Sequence, residues 1–110
     1  MRIIKSTREI DTLFKQGTRA SSPLVTALSM PVDERRGPQG RVAFVAGKKL
    51  GGAVVRNRCK RVLRASAARA GGPWPGLDVV LIARQGLATA GVSDVDAAFR
   101  DVLRRLGMAS

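Results

Sequence analysis

The sequence predicts one α+β domain over residues 1–110, an α-β sandwich with elements in the order α-β-β-(β)-α-β-α. Three observations predict it. Three segments carry the apolar spacing and end signals of amphipathic helices. Between them lie short aliphatic and β-branched runs of strand length. An apolar share of 45% in 110 residues is enough for one modest core, and a domain of this size buries about two-thirds of its unfolded surface.

Ser6 followed by Glu9 has capping-box spacing, Ile10, Leu13 and Phe14 share a helical face, and Gly17 is placed to end the turn, so a first helix is expected over Thr7 to Gln16. Leu24 to Met30 suits a strand, with Leu24, Thr26, Leu28 and Met30 on one side. Pro31 to Gly40 collects turn-forming and charged residues and is expected as an exposed connection. Arg41 to Gly47 reads as a buried strand that delivers Lys48 and Lys49 at its end. A central helix is expected from Val54 to Arg69, stopped by Gly71, Gly72 and two prolines, with a small additional strand around Gly52 to Val54. Leu77 to Ala83 is the last strand. Ser93 with Asp96 is expected to cap a final helix whose stripe is Val95, Phe99, Val102, Leu103 and Leu106. General chain topology assigns the β-α-β unit around the central helix a right-handed crossover.

Twenty Lys and Arg against eight Asp and Glu leave a formal charge of +12, more than solubility asks of a small domain, and imply a polyanionic partner. No acidic residue occurs from Arg35 to Leu77, where eleven basic ones do. A merely solvated surface would intersperse both signs. Counting 100° per residue along the central helix places Val55, Cys59, Val62, Leu63, Ser66 and Ala70 on one arc. Arg56, Asn57, Lys60, Arg61 and Arg64 fall opposite, with Arg58 at the edge. Guanidinium forks match phosphate oxygens, and Asn57 reads equally well as a helix-end cap or as a polar contact to a base edge or ribose hydroxyl.

The run Lys48-Lys49-Leu50-Gly51-Gly52-Ala53-Val54-Val55-Arg56-Asn57-Arg58-Cys59-Lys60-Arg61-Val62-Leu63-Arg64 resembles the signature of the bacterial ribonuclease P protein family. Phe14 and Gly17, the strand Val42 to Gly47 and Val80-Leu81-Ile82-Ala83-Arg84 agree with it, so the resemblance covers nearly the whole chain. It implies a left-handed β-α-β crossover in place of the default. It also implies a protein subunit that assists a catalytic RNA in removing the 5′ leader of precursor tRNA, one protein per RNA. On that resemblance Lys48, Lys49, Arg56, Asn57, Arg58, Lys60, Arg61 and Arg64 face the RNA subunit. Ile10, Phe14, Thr26, Leu28 and Arg84 line a cleft for the single-stranded leader. The chain departs from the family pattern in having Ile10 where a second helix aromatic is common, no Tyr at all, and Gly52 where Asn is usual.

Catalytic chemistry is expected to lie outside the chain. It has no His, no Tyr and one Cys on the apolar arc, so the usual bases and nucleophiles are nearly missing. Asp33 with Glu34 and Asp94 with Asp96 are better read as loop solvation and helix N-terminal charge than as metal ligands. The resemblance implies magnesium held mainly by the RNA subunit and substrate, and none by the protein alone. A lone Cys59 excludes an internal disulfide, and no apolar run approaches bilayer length, so a cytoplasmic protein with no membrane partner is expected. A ribosomal or other structural RNA-binding protein suits the charge and size equally, and the ordered motif alone argues against it. A self-sufficient nuclease lacks residues for the chemistry, and a DNA-packaging protein lacks a minor-groove wedge pattern.

Overall fold

The computed structural model describes residues 3–32, 35 and 39–108. Helix α1 spans Thr7–Gln16, with Ser6 Oγ accepting from the Glu9 N–H at 3.4 Å and the Gly17 N–H donating to the Leu13 carbonyl at 2.8 Å. Glycine is needed at that exit, because a Cβ on residue 17 would lie 2.5 Å from the Leu13 carbonyl oxygen.

The chain then enters strand β1 (Thr18–Ser21), which pairs antiparallel with β2 (Val25–Pro31). Ser22 closes the hairpin: its Oγ donates to the Val25 carbonyl at 3.0 Å and accepts from the Val25 N–H at 3.1 Å. β1 was not among the expected strands. Only Ala20 of its four residues is buried, so it carries no apolar alternation to read. Of the Pro31 to Gly40 connection, Pro31 ends β2, and residues 33, 34 and 36–38, including Asp33 and Glu34, lie outside the described residues.

Strand β3 covers Arg41–Val45, shorter than expected, and a 3₁₀ turn follows over Lys48–Leu50. Gly51, at φ +139, swings the chain out of that turn, and Gly52 becomes the N-cap of helix α2 (Ala53–Arg69). The extra strand expected around Gly52 to Val54 is therefore absent: those residues form the cap and first turn of α2. Strand β4 spans Leu77–Ala83 as expected. Helix α3 (Val92–Arg105) starts one residue before Ser93, on Gly91, without a side-chain cap. The physical reason is that the Asp96 carboxylate is engaged by α2 and does not fold back on its own helix terminus.

The sheet order is β1-β2-β4-β3, with β3 and β4 parallel around α2 and the other pairs antiparallel. Helices cover both faces. On one, α2 and α3 supply Cys59, Leu63, Phe99, Val102 and Leu103 against Val25, Ala27, Val42, Val79 and Leu81. On the other, Leu13 of α1 packs with Ile4, Leu28, Ala43 and Val80. The apolar arc counted along the central helix faces inward: Cys59, Leu63 and Ser66 are buried, and Val55, Val62 and Ala70 are half-buried.

Candidate nucleic-acid interface

The acidic residues decide where positive charge is left over. Arg41 at the start of β3 bridges Asp78 of β4, with Nη2 donating at 3.1 Å, and Glu9 of α1. Both carboxylates raise the guanidinium's pKa, Glu9 most. Arg69 near the end of α2 donates to Asp96 of α3 through Nε at 3.0 Å and Nη2 at 2.9 Å, and Ser66, fully buried, donates to the same carboxylate at 2.6 Å. Arg69 first and Ser66 second hold the Asp96 carboxyl below its usual range. Arg105 pairs with Asp101 one turn earlier at 2.9 Å. Glu9, Asp78, Asp96 and Asp101 are thereby committed to arginines, most of which join a helix to the sheet or to another helix.

The outer face of α2 is one region left unneutralised. Asn57, Arg58, Lys60, Arg61 and Arg64 are exposed on it, as the helical count expects. No acidic residue occupies the first turn of this 17-residue helix and no side chain caps it, so its N-terminal N–H groups and dipole add to the positive field. Arg56 differs from its neighbours: it is half-buried, and its Nε is buried without a hydrogen-bond partner among the described residues. The Arg64 guanidinium lies over the Phe44 ring, 5.5 Å from its centroid, which restrains a side chain that would otherwise be free.

A second basic region opens on the α1 side of the sheet. Strand register lays three transverse rows on that face. Met30, Asp78 and Arg41 form the first, where Glu9 of α1 is bound. Arg19, Leu28, Val80 and Ala43 form the second, with Leu13 of α1 packed against its last three members. Ser21, Thr26, Ile82 and Val45 form the third. Thr26, Ile82 and Val45 are the floor of a cleft of about 680 Å³, walled by Arg19, Lys48, Lys49, Leu50, Arg84 and Gln85. No acidic residue lines it, and among the described residues Arg19, Lys48, Lys49 and Arg84 make no ion pair or hydrogen bond through their side chains.

The structure thus regroups the expected residues. Thr26 and Arg84 share the cleft with Lys48 and Lys49, which the resemblance places with the residues facing the RNA subunit. Thr26 is only 2% exposed, its Oγ1 held 3.0 Å from Ser21 Oγ. Ile10 is half-buried at the margin of the α1-side core, and Phe14 is 45% exposed. Leu28, expected to line this surface, is instead core: at 1% exposure it packs in the cluster of Leu13, Ile4, Ala43 and Val80. Arg19, Val45, Ile82 and Gln85 were missed. Arg19 sits on the unrecognised strand, and only the pairing of β1 with β2 brings it to this face.

Among the described residues no three His, Cys, Asp or Glu come together to hold a metal. Cys59, a free thiol, is wholly buried. No helix among those residues is long and apolar enough to cross a membrane. The surface offers charge, hydrogen-bond donors and shape, the means of binding a polyanion.

A family model described as Ribonuclease P matches residues 1–107. The ribonuclease P protein component of Brevibacillus brevis is 33% identical over 107 residues, covering 93% of this chain and 80% of the relative. That of Nitratiruptor sp. is 33% identical over 103 residues, covering 94% and 90%. The fold matches that of the RNase P protein of Staphylococcus aureus with a TM-score of 0.85 at 21% identity, over 100% of this chain and 99% of the other. It also matches that of Thermotoga maritima at 0.79 and 24% identity, over 96% and 97%.

Proposed function

Because the chain belongs to the ribonuclease P protein family, whose members are the protein component of that endoribonuclease, we propose that it binds ribonuclease P RNA and the 5′ leader of precursor tRNA and so assists the RNA in removing the leader. The observation that carries this reading is the presence of two separate basic surfaces, the outer face of α2 and the cleft over the third row of the sheet. Two surfaces fit two polyanions. Positive charge set between RNA subunit and substrate lowers their repulsion, and with it the magnesium concentration at which they associate.

The α2 face, with Arg56, Asn57, Arg58, Lys60, Arg61 and Arg64, takes the RNA subunit, and the cleft takes the leader as a single strand. Hydrolysis belongs to the RNA, with magnesium held by the RNA and the substrate. Among the described residues the carboxylates are dispersed, which is consistent with that division of labour. One protein serves one RNA, in the cytoplasm where tRNA precursors are made. The test is reconstitution: added to a bacterial ribonuclease P RNA at low magnesium, the chain should restore correct 5′ processing. Failure to rescue would overturn the reading.

A further inference from the structure

Arg19 has no role in the motif that identifies the family, yet the fold brings it to a defined place. Its register partner is Leu28, so it stands on the α1 face, and it walls the cleft whose floor is Thr26, Ile82 and Val45. β1 is one edge of the sheet and β3 the other, and Lys48 and Lys49 follow closely on β3. Arg19 and the two lysines therefore bound the same cleft from opposite sheet edges, with Arg84 at the end of β4 between them.

The charge on this rim is not needed for the fold. Arg41, Arg69 and Arg105 each join a carboxylate, whereas Arg19 is exposed and has no partner among the described residues. We propose that Arg19 is a substrate-contacting residue, which binds a phosphate of the leader at the β1 edge while Lys48 and Lys49 bind phosphates at the β3 edge. The strand then runs across the β-strands rather than along them. Three inter-strand spacings of about 4.8 Å make a crossing of about 14 Å. At about 3.4 Å per phosphate along a stacked strand, that crossing takes roughly four nucleotides. This inference rests on the proposed leader function, and it adds a minimum length: a leader too short to reach both edges engages only one of them.

A charged side chain on an edge strand also guards against edge-to-edge pairing, and that is the competing account of Arg19. Arg19→Glu separates the two, because it keeps a charge on the edge but repels a phosphate. The experiment measures binding of precursor tRNAs carrying a graded series of leader lengths, and of mature tRNA, to holoenzyme reconstituted from this chain and ribonuclease P RNA. Wild-type affinity should rise as the leader lengthens through roughly four nucleotides. Arg19→Ala should lose roughly tenfold of that affinity on long leaders, the size of one charge-assisted hydrogen bond, and flatten the salt dependence by about 0.7. Arg19→Glu should lose more, and both variants should bind mature tRNA and the shortest leaders as the wild type does. Equal leader-length dependence in wild type and Arg19→Ala overturns the inference while leaving the proposed function standing. Absence of processing by the wild-type holoenzyme overturns both.

Discussion

Arg64 on α2 rests its guanidinium over the ring of Phe44 on β3, 5.5 Å from the centroid. Phe44 packs against the α2-α3 core on one side and carries the arginine on the other, so a core residue aims a surface cation. Cation–π pairs at exposed sites contribute about 0.5–1 kcal/mol. The larger benefit is to binding, because a restrained side chain loses less entropy when it meets a phosphate. Phe44→Leu, which keeps much of the apolar volume, should weaken RNA-subunit binding by about 1 kcal/mol or less. In a double-mutant cycle with Arg64→Ala the two losses should be less than additive. Strict additivity would show that the ring does not aim the arginine.

The α2 face makes a simpler prediction. Removing Arg56, Arg58, Lys60 and Arg61 together, each to Ala, should weaken RNA-subunit binding and flatten its salt dependence by roughly 0.7–0.9 log units for each phosphate that the protein no longer neutralises. Arg58, Lys60 and Arg61 are exposed, so the fold should persist by circular dichroism. Arg56 is the exception to watch, because half of it is packed and its Nε lacks a partner among the described residues. An unchanged salt slope would exclude this face as the RNA-binding surface.

Asp96 links α3 to α2, and its behaviour with pH follows from its partners. Arg69 and Ser66 stabilise the charged carboxylate, so its pKa in the folded protein lies below that of the unfolded chain. Its contribution to stability is therefore complete above the unfolded value, about 3.9, and is lost as the pH falls through the lower folded value. Chemical denaturation followed from neutral to strongly acidic pH should show wild type losing this increment in that window. Asp96→Ala should be destabilised at neutral pH, about 1–3 kcal/mol of it because the buried Ser66 hydroxyl loses its acceptor, and the difference from wild type should shrink in acid. A difference independent of pH would mean that the carboxylate's charge is not what α2 recognises.

Gly52 is a helix N-cap with no side-chain hydrogen bond and with φ −73 and ψ −177, a conformation open to any residue. A Cβ there meets nothing within 4 Å. Gly52→Asn should therefore cap α2 and raise stability by a few tenths of a kcal/mol, the usual difference between Asn and Gly at this position. Thermal unfolding would check it. A lower melting temperature would show that the open N-terminus of α2 matters to the fold in a way that the free space around Gly52 does not reveal.

The elements with strong periodicity were legible in the sequence, and the reason is that each has a single dominant environment. α1 and α2 follow their end signals and apolar arcs, and β4 its aliphatic run. β1 was not legible because its pairing is made by backbone groups while its side chains stay largely outside. The start of α3 was displaced because a tertiary hydrogen bond won Asp96 from its local cap. The site divides in the same way. The α2 face could be counted, since helix period and charge sit in one segment. The cleft could not, since Arg19, Lys48 and Arg84 come together only through strand order and register.

Phe14 separates packing from recognition most directly. In the sequence it shares a helical face with Ile10 and Leu13, so burial and ligand binding suit it equally there. The fold divides the three. Leu13 is 2% exposed in the core, Ile10 is half-buried at its margin, and Phe14 is 45% exposed. An aromatic ring left this open on a helix packed beside a basic cleft suits stacking on a nucleobase, which tolerates any sequence and contributes about 1–3 kcal/mol per base. Phe14→Ala should then weaken holoenzyme binding of precursor tRNA by about that amount while leaving mature tRNA binding unchanged. Thermal stability should fall little, because nearly half of the side chain already faces solvent. Phe14→Trp should restore binding where Phe14→Leu should not, since stacking requires a π face and apolar packing does not. Full rescue by Leu, or a large drop in melting temperature for Ala, would return Phe14 to the core.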